Sequence, residues 1–225
     1  NHFKLGPVKY HNVVASIKGT KYPDEYVIIS GHLDSYDVAT GGIDCGTGIG
    51  PMMEAARMIA LSGAKPKRTI LFVAFAGEEF GLLGAKSYVK THAKELGKIA
   101  NLFNRDGGPT PPVGISVPQA MYDDFVEVCK PVKEIRADYP FEVKVAKPFK
   151  RPTQSGGTDA SVFAVEGVPT FGFNTQDIKG YNFSYGEIWH TERDLYTKNI
   201  PEYQEHAATV TAVVALGIAN LSKQL

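Results

Sequence analysis

Residues 69–76 read "TILFVAFA", an apolar run with no alternation, and the chain continues at once into "GEE". A short run of this kind, rich in β-branched and aromatic side chains, predicts a strand buried on both faces. A sheet with two buried faces needs helices on both sides, which narrows the fold class sharply. Glu78 and Glu79 then stand at the end of that strand, where two adjacent negative charges repel each other and resist burial. In the ten residues before Glu78 the one Lys or Arg is Arg68, at the far end of the strand. A divalent cation is the economical partner for such a pair.

The rest of the chain repeats the alternation of apolar runs and helical stretches. "YHNVVASIKG" and "EYVIISGH" predict two strands around the turn-like "TKYPD"; a Gly-rich loop, "DVATGGIDCGTGIG", leads into the helix "PMMEAARMIALSGA". "RTILFVAFAG" predicts a strand, "GLLGAKSYVKTHAKEL" a helix and "IANLFNRDGG" a strand. Residues 109–118 form a Pro-rich loop, and "QAMYDDFVEVCKPVKEI" is helical with Pro131 expected to end or kink it. "FEVKVAKPF" is a strand, "TDASVFAVEG" a short helix and "VPTFGFNT" a strand, and a Gly/Tyr/Asn-rich loop at 180–194 precedes a long terminal helix. The expected fold is α/β, with a mixed, largely parallel central sheet flanked by helices on both faces, in one domain of 225 residues.

Charge and composition remove several functions. The 24 basic and 24 acidic residues cancel, and no basic stripe interleaves with aromatics, so nucleic acid is not an expected partner. No apolar stretch is long enough for a bilayer, and "AATVTAVVALGIANL" reads as a packed helix. Cys45 and Cys129 are too few for a disulfide scaffold and lack zinc-knuckle spacing.

Chemistry collects at the strand ends. "VIISGHLDS" finishes on His32 and Asp34, "FVAFAGEE" on Glu78 and Glu79, and "ANLFNRDGG" on Asp106. Asp44 follows in the Gly-rich loop, and His190 lies in "IWHTERD" after the last strand. In open α/β sheets ligands bind outside the carboxyl ends of the strands. Two imidazoles and several carboxylates brought to one edge make a metal-ligand set.

In order along the chain, "GHLDSYD", "GGIDCGTG", "FAGEEFGLLGA", "NRDGG" and "WHTERD" resemble the motifs of the di-zinc exopeptidases, the family of bacterial leucyl aminopeptidases and plasma glutamate carboxypeptidase. The carboxypeptidase Q branch is the most similar, and the resemblance runs from about residue 10 to the end. It implies the zinc-dependent exopeptidase fold and two zinc ions. Asp44 would bridge them, with His32 and Asp106 on one ion and Glu79 and His190 on the other. Glu78 would be the general base and then the acid, and Asp34 would accept the free ring N–H of His32. The resemblance also implies a cis Asp44–Cys45 peptide. Cys45 departs from the Asn or Asp usual at that position, and its thiol is not needed in a ligand set already complete.

The same resemblance implies a peptide or dipeptide substrate, a secreted or periplasmic location and an open question of homodimerisation. It further implies that an N-terminal segment and a protease-associated insert belong before this stretch. Two weaker candidates are Asp159, which is either a helix cap or a group next to His190 that contacts substrate or supports a ligand, and Tyr185 in the aromatic loop, for substrate contact. His2, His11, His92 and His206 have no acidic partner at ligand spacing and read as non-functional. A glutaminyl cyclase-like transferase with one zinc and a non-catalytic binding ectodomain share the fold, but this chain keeps every ligand position and the base. Cleavage from a free N-terminus and cleavage of dipeptides with a free carboxylate both stay open.

Overall fold

The computed structural model describes residues 6–148 and 150–225; His2 lies outside them. The first strands are β1 (Val13–Ile17) and β2 (Tyr22–His32), followed by α1 (Gly46–Leu61), β3 (Arg68–Phe75), α2 (Leu83–Thr91) and β4 (Ile99–Asn104). Then come β5 (Pro112–Val117), α3 (Tyr122–Ile135), β6 (Glu142–Val145), α4 (Ala160–Val165), β7 (Thr170–Phe171), β8 (Phe173–Thr175) and α5 (Pro201–Ala219).

The main sheet has the order β1-β3-β2-β4-β7, with β1 antiparallel and the other pairings parallel. Alternate side chains of its central strands go to opposite layers. Val27, Ile29, Ile70, Phe72, Ala74 and Phe103 pack with α1, α3 and α5. Ile28, Val73, Phe75 and Leu102 pack with Ala85 and Tyr88 of α2 and Val162 and Phe163 of α4. Both faces of the sheet are therefore covered, as the unbroken "TILFVAFA" run requires.

A second, three-stranded sheet of order β6-β5-β8 was not expected. Its centre, β5, lies inside the Pro-rich stretch, with Pro112 as its first residue, a position where a missing N–H is tolerated. The single strand expected in "VPTFGFNT" is two: Phe171 pairs with Phe103 in the main sheet, and Phe173 pairs with Ile115 in the small one. Helix α3 runs through Pro131 without ending. Pro131 and Glu127, whose carbonyl loses its partner, are both exposed, so water can take the orphaned acceptor.

Parallel register levels the ends of the three central strands. His32 lies opposite Phe75, and Ser30 lies opposite Asn104. The residues that follow Phe75 and Asn104 thus emerge beside His32 at one edge of the sheet.

Candidate active site

At that edge His32 is the centre. It is 2% exposed, and its Nε2 lies 2.9 Å from Asp44 Oδ1 and 3.5 Å from Asp106 Oδ1. Burial alone would depress this imidazole, but the bonds to Asp106 and Asp44 outweigh it and lift it to about 12. Asp44 shows the reciprocal effect: burial pushes its carboxyl up, and His32 pulls it below the usual range. Its second oxygen, Oδ2, faces His190 Nε2 at 3.9 Å. His190 Nε2 in turn meets Glu79 Oε2 at 2.9 Å. The Asp44–Cys45 peptide is cis, as the resemblance implied.

All five expected ligand residues, His32, Asp44, Glu79, Asp106 and His190, are therefore brought together. Two features of the donor set fit a cation. Donor atoms of His32, Asp44 and Glu79 all fall within 4.8 Å of one another. Glu79 Oε1 is buried without a hydrogen-bond partner among the described residues, and a buried carboxylate oxygen left so is costly unless something positive faces it. Arg68 supplies nothing here, since it bonds to Glu25 and to the Leu221 carbonyl at the opposite end of β3.

Glu78 lines an open cleft of about 380 Å³ together with Asp44, Glu79, Asp106, Lys86, Trp189 and His190. Burial first, then the charge of Asp106, lifts its carboxyl to about 8. Glu79 is likewise raised, by burial and then by Asp44, against the opposing pull of His190. A larger hollow of about 540 Å³, bounded by Gly42, Pro51, Tyr196 and Pro201, holds none of the clustered histidines and carboxylates.

One expectation changes on the geometry, that for Asp34. The His32 Nδ1–H donates at 2.9 Å to the main-chain carbonyl of Asp34, whose carboxylate stands 3.9 Å away. That carboxylate accepts instead the main-chain N–H groups of Glu78 and Glu79, each at 3.1 Å, because the turn after β3 presents both to it. Asp159 occupies the N-cap position of α4 but makes no side-chain capping bond, and it is fully buried with both carboxylate oxygens unpartnered among the described residues. Burial, then His32 against Asp106 and Asp34, leaves it raised to about 7. Tyr185 turns its phenol to Asp44, and the aromatic ring lining the cleft is Trp189.

The Cys45 thiol is within ligand reach of His32 and Asp106, but it donates at 3.0 Å to the Arg105 carbonyl, and burial pushes it up to about 12. Sequence reasoning missed two residues. Tyr36 stacks flat on the His190 imidazole, with centroids 4.3 Å apart and planes 5° from parallel. Asp194, 1% exposed, accepts the Ile43 and Asp44 N–H groups at 2.6 and 3.2 Å. Both lie within motifs already conspicuous for their histidines, and no rule of spacing marks either one.

The solved structure of a peptidase M28 precursor from Shewanella amazonensis SB2B is 33% identical to this chain, with a TM-score of 0.79 over 95% of it and 46% of that protein. BSAP, a zinc aminopeptidase from Bacillus subtilis, shares the fold at 24% identity and a TM-score of 0.67, over 90% of this chain and 49% of BSAP. The profile of Peptidase family M28 matches residues 12–214, and the chain belongs to that family. Carboxypeptidase Q of Rattus norvegicus is 32% identical over 229 residues, all of this chain and 46% of the relative. Carboxypeptidase Q of Homo sapiens is 29% identical, over 95% of this chain and 42% of its own length. The chain thus spans somewhat under half the length of these curated relatives.

Proposed function

We propose that these residues form a single catalytic domain of a zinc-dependent exopeptidase that holds two metal ions and hydrolyses peptide bonds at a chain end or in dipeptides. The observation that carries this reading is the placement of Asp44, which offers one oxygen to His32 and the other to His190. A carboxylate set between two imidazoles is the arrangement of a bridging ligand. His32 and Asp106 would hold one ion, Glu79 and His190 the other. When bound, zinc lowers the pKa of a water and polarises the scissile carbonyl.

The protein's own part is positional and protonic. Glu78 lines the cleft beside the donor set with no side-chain hydrogen bond to any member of it, and its raised carboxyl, which a bound cation would draw back down, suits a group that takes a proton and returns it to the leaving amine. Asp34 fixes the main chain of Glu78 and Glu79 so that one glutamate binds and the other does not. The His32 Nδ1–H, held by the Asp34 carbonyl, directs Nε2 into the cluster. Trp189 and Lys86 wall the cleft where the substrate's flanking groups would lie. The relatives' names include both an aminopeptidase and a carboxypeptidase, and the proposal covers either specificity, with a secreted or periplasmic location.

The test is a zinc-reconstituted assay on aminoacyl amides and on dipeptides, with bound zinc counted per chain. Turnover of either substrate at two zinc ions per chain supports the proposal. One ion per chain with cyclisation of N-terminal glutamine would replace it with the cyclase-like alternative.

A further inference from the structure

The Gly-rich loop that carries Asp44 and the segment that follows His190 are far apart in sequence but stitched together in space. The Asp194 carbonyl accepts the Thr40 N–H at 3.2 Å and the Thr40 hydroxyl at 2.9 Å. The Asn199 side-chain amide donates to the Gly42 carbonyl at 2.8 Å. Gly42 approaches so closely that a Cβ there would stand 2.2 Å from the Leu195 carbonyl carbon. At the centre of this seam both Asp194 carboxylate oxygens go to main-chain N–H groups, Ile43 on one and Asp44 on the other.

We propose that Asp194 is a positioning residue for the metal cluster, its buried carboxylate holding the main chain of Asp44 against the His190 segment so that Asp44 can face both ions. The inference rests on the two-metal reading above. Its physical basis is the bookkeeping of donors around Asp44. An Asp side chain readily bonds to nearby main-chain N–H groups. With the Ile43 and Asp44 N–H groups already taken by Asp194, the Asp44 oxygens are left to His32, His190 and the Tyr185 phenol. A carboxylate suits this place because each of its oxygens takes one of the two N–H groups, whereas a side-chain amide offers a single acceptor oxygen. Because Asp194 comes four residues after His190, one short segment places a ligand with its side chain and a second ligand through its neighbour's main chain.

The experiment compares zinc binding in the wild-type protein, Asp194→Ala, Asp194→Asn and Asn220→Ala, by calorimetry and by competition with a chelator, alongside melting curves. Asn220 is the control: its side chain also accepts a main-chain N–H, that of Lys67 at 3.1 Å, but at the opposite end of the sheet. The expected result is a loss of zinc affinity of about 10–100-fold in Asp194→Ala, the range seen when residues that orient a ligand are removed. Asp194→Asn, which keeps one acceptor oxygen, falls between, and Asn220→Ala melts earlier with unchanged affinity. If Asp194→Ala melts earlier but binds zinc within about twofold of wild type, Asp194 is a structural brace and the proposal is overturned. Should Asp194→Ala not fold, Asp194→Asn decides alone by the same criterion. Wild-type protein that binds no zinc would overturn the two-metal reading itself, a result separate from any difference among the variants.

Discussion

The main-chain N–H groups of Glu78 and Glu79 both end on the Asp34 carboxylate, so one side chain sets the direction of two others to which the proposed mechanism gives different duties. Glu78→Gln removes the proton acceptor and leaves the donor set intact. Turnover should fall by about 10²–10⁴-fold while the zinc count is unchanged, and a purified variant with wild-type turnover would refute the assignment. Asp34→Ala acts differently. It strands two partly buried N–H groups, which costs about 1–3 kcal/mol, read as a lower midpoint in urea. His206 gives a pH prediction away from the cleft. It is fully buried, its Nε2–H donates to the Pro112 carbonyl at 2.8 Å, Nδ1 has no hydrogen-bond partner among the described residues, and burial pulls it from 6.5 down to about 4. The unfolded chain takes up that proton first, so the contribution is complete above about pH 6.5 and is lost as pH falls towards 4, about 3 kcal/mol in all. Urea unfolding at pH 7 and pH 4.5 should show a drop in stability that is smaller in His206→Gln. The clustered histidines and carboxylates were legible in the sequence because such groups at strand ends have few other reasons to gather. Asp194, Tyr36 and the true partners of Asp34 were not, since they act through main-chain bonds and ring stacking fixed only by tertiary contact.

At the scale of elements, the site depends on how α2 leaves β3. Leu82 takes a left-handed conformation with φ 62°, and Gly84 then lies against the end of the strand. Asn12 clamps the junction by accepting the Ala76 N–H and donating to the Gly84 carbonyl, both at 3.0 Å. A Cβ at position 84 would stand 2.3 Å from Asn12 Oδ1 and 2.5 Å from the Ala76 carbonyl oxygen, so helix and strand must separate. Gly84→Ala should destabilise by about 1–3 kcal/mol and lower kcat, because the displaced turn is the one that carries Glu78. Unchanged stability and kcat would show that the junction is softer than its contacts imply. The same junction shows why elements differed in legibility. Strand β3 was plain because both of its faces are buried and its pattern has no competitor. The expected helix over 81–96 is real only from Leu83 to Thr91, since its later residues lack a buried face to hold them. Strand β5 was hidden by its prolines, and β7 and β8 were merged because nothing in "FGF" announces that neighbouring residues join different sheets.

The whole molecule sets a well-braced frame against an electrostatically expensive edge. The far end of the sheet is closed by Arg68 between Glu25 and the Leu221 carbonyl, and by Asn220 against Lys67. The functional edge gathers Asp34, Asp44, Glu78, Glu79, Asp106 and Asp159 around one buried imidazole and a second half-buried one. Like charges this close oppose one another, and a divalent cation relieves that opposition in the folded state alone. Zinc at about a hundred times its dissociation constant should add about 2.7 kcal/mol, which for a chain of this size raises the melting temperature by about 5–11 °C. The gain should be local in origin. Hydrogen exchange should slow on zinc addition in the loops that hold Asp44, Glu79 and His190, and stay constant at the Arg68 and Asn220 end, whose bonds are complete without it. His190→Ala, which leaves Glu79 without its imidazole partner, should reduce the zinc-dependent rise in melting temperature. A rise as large in that variant as in wild type would mean that the stabilising ion does not depend on the Glu79–His190 pair.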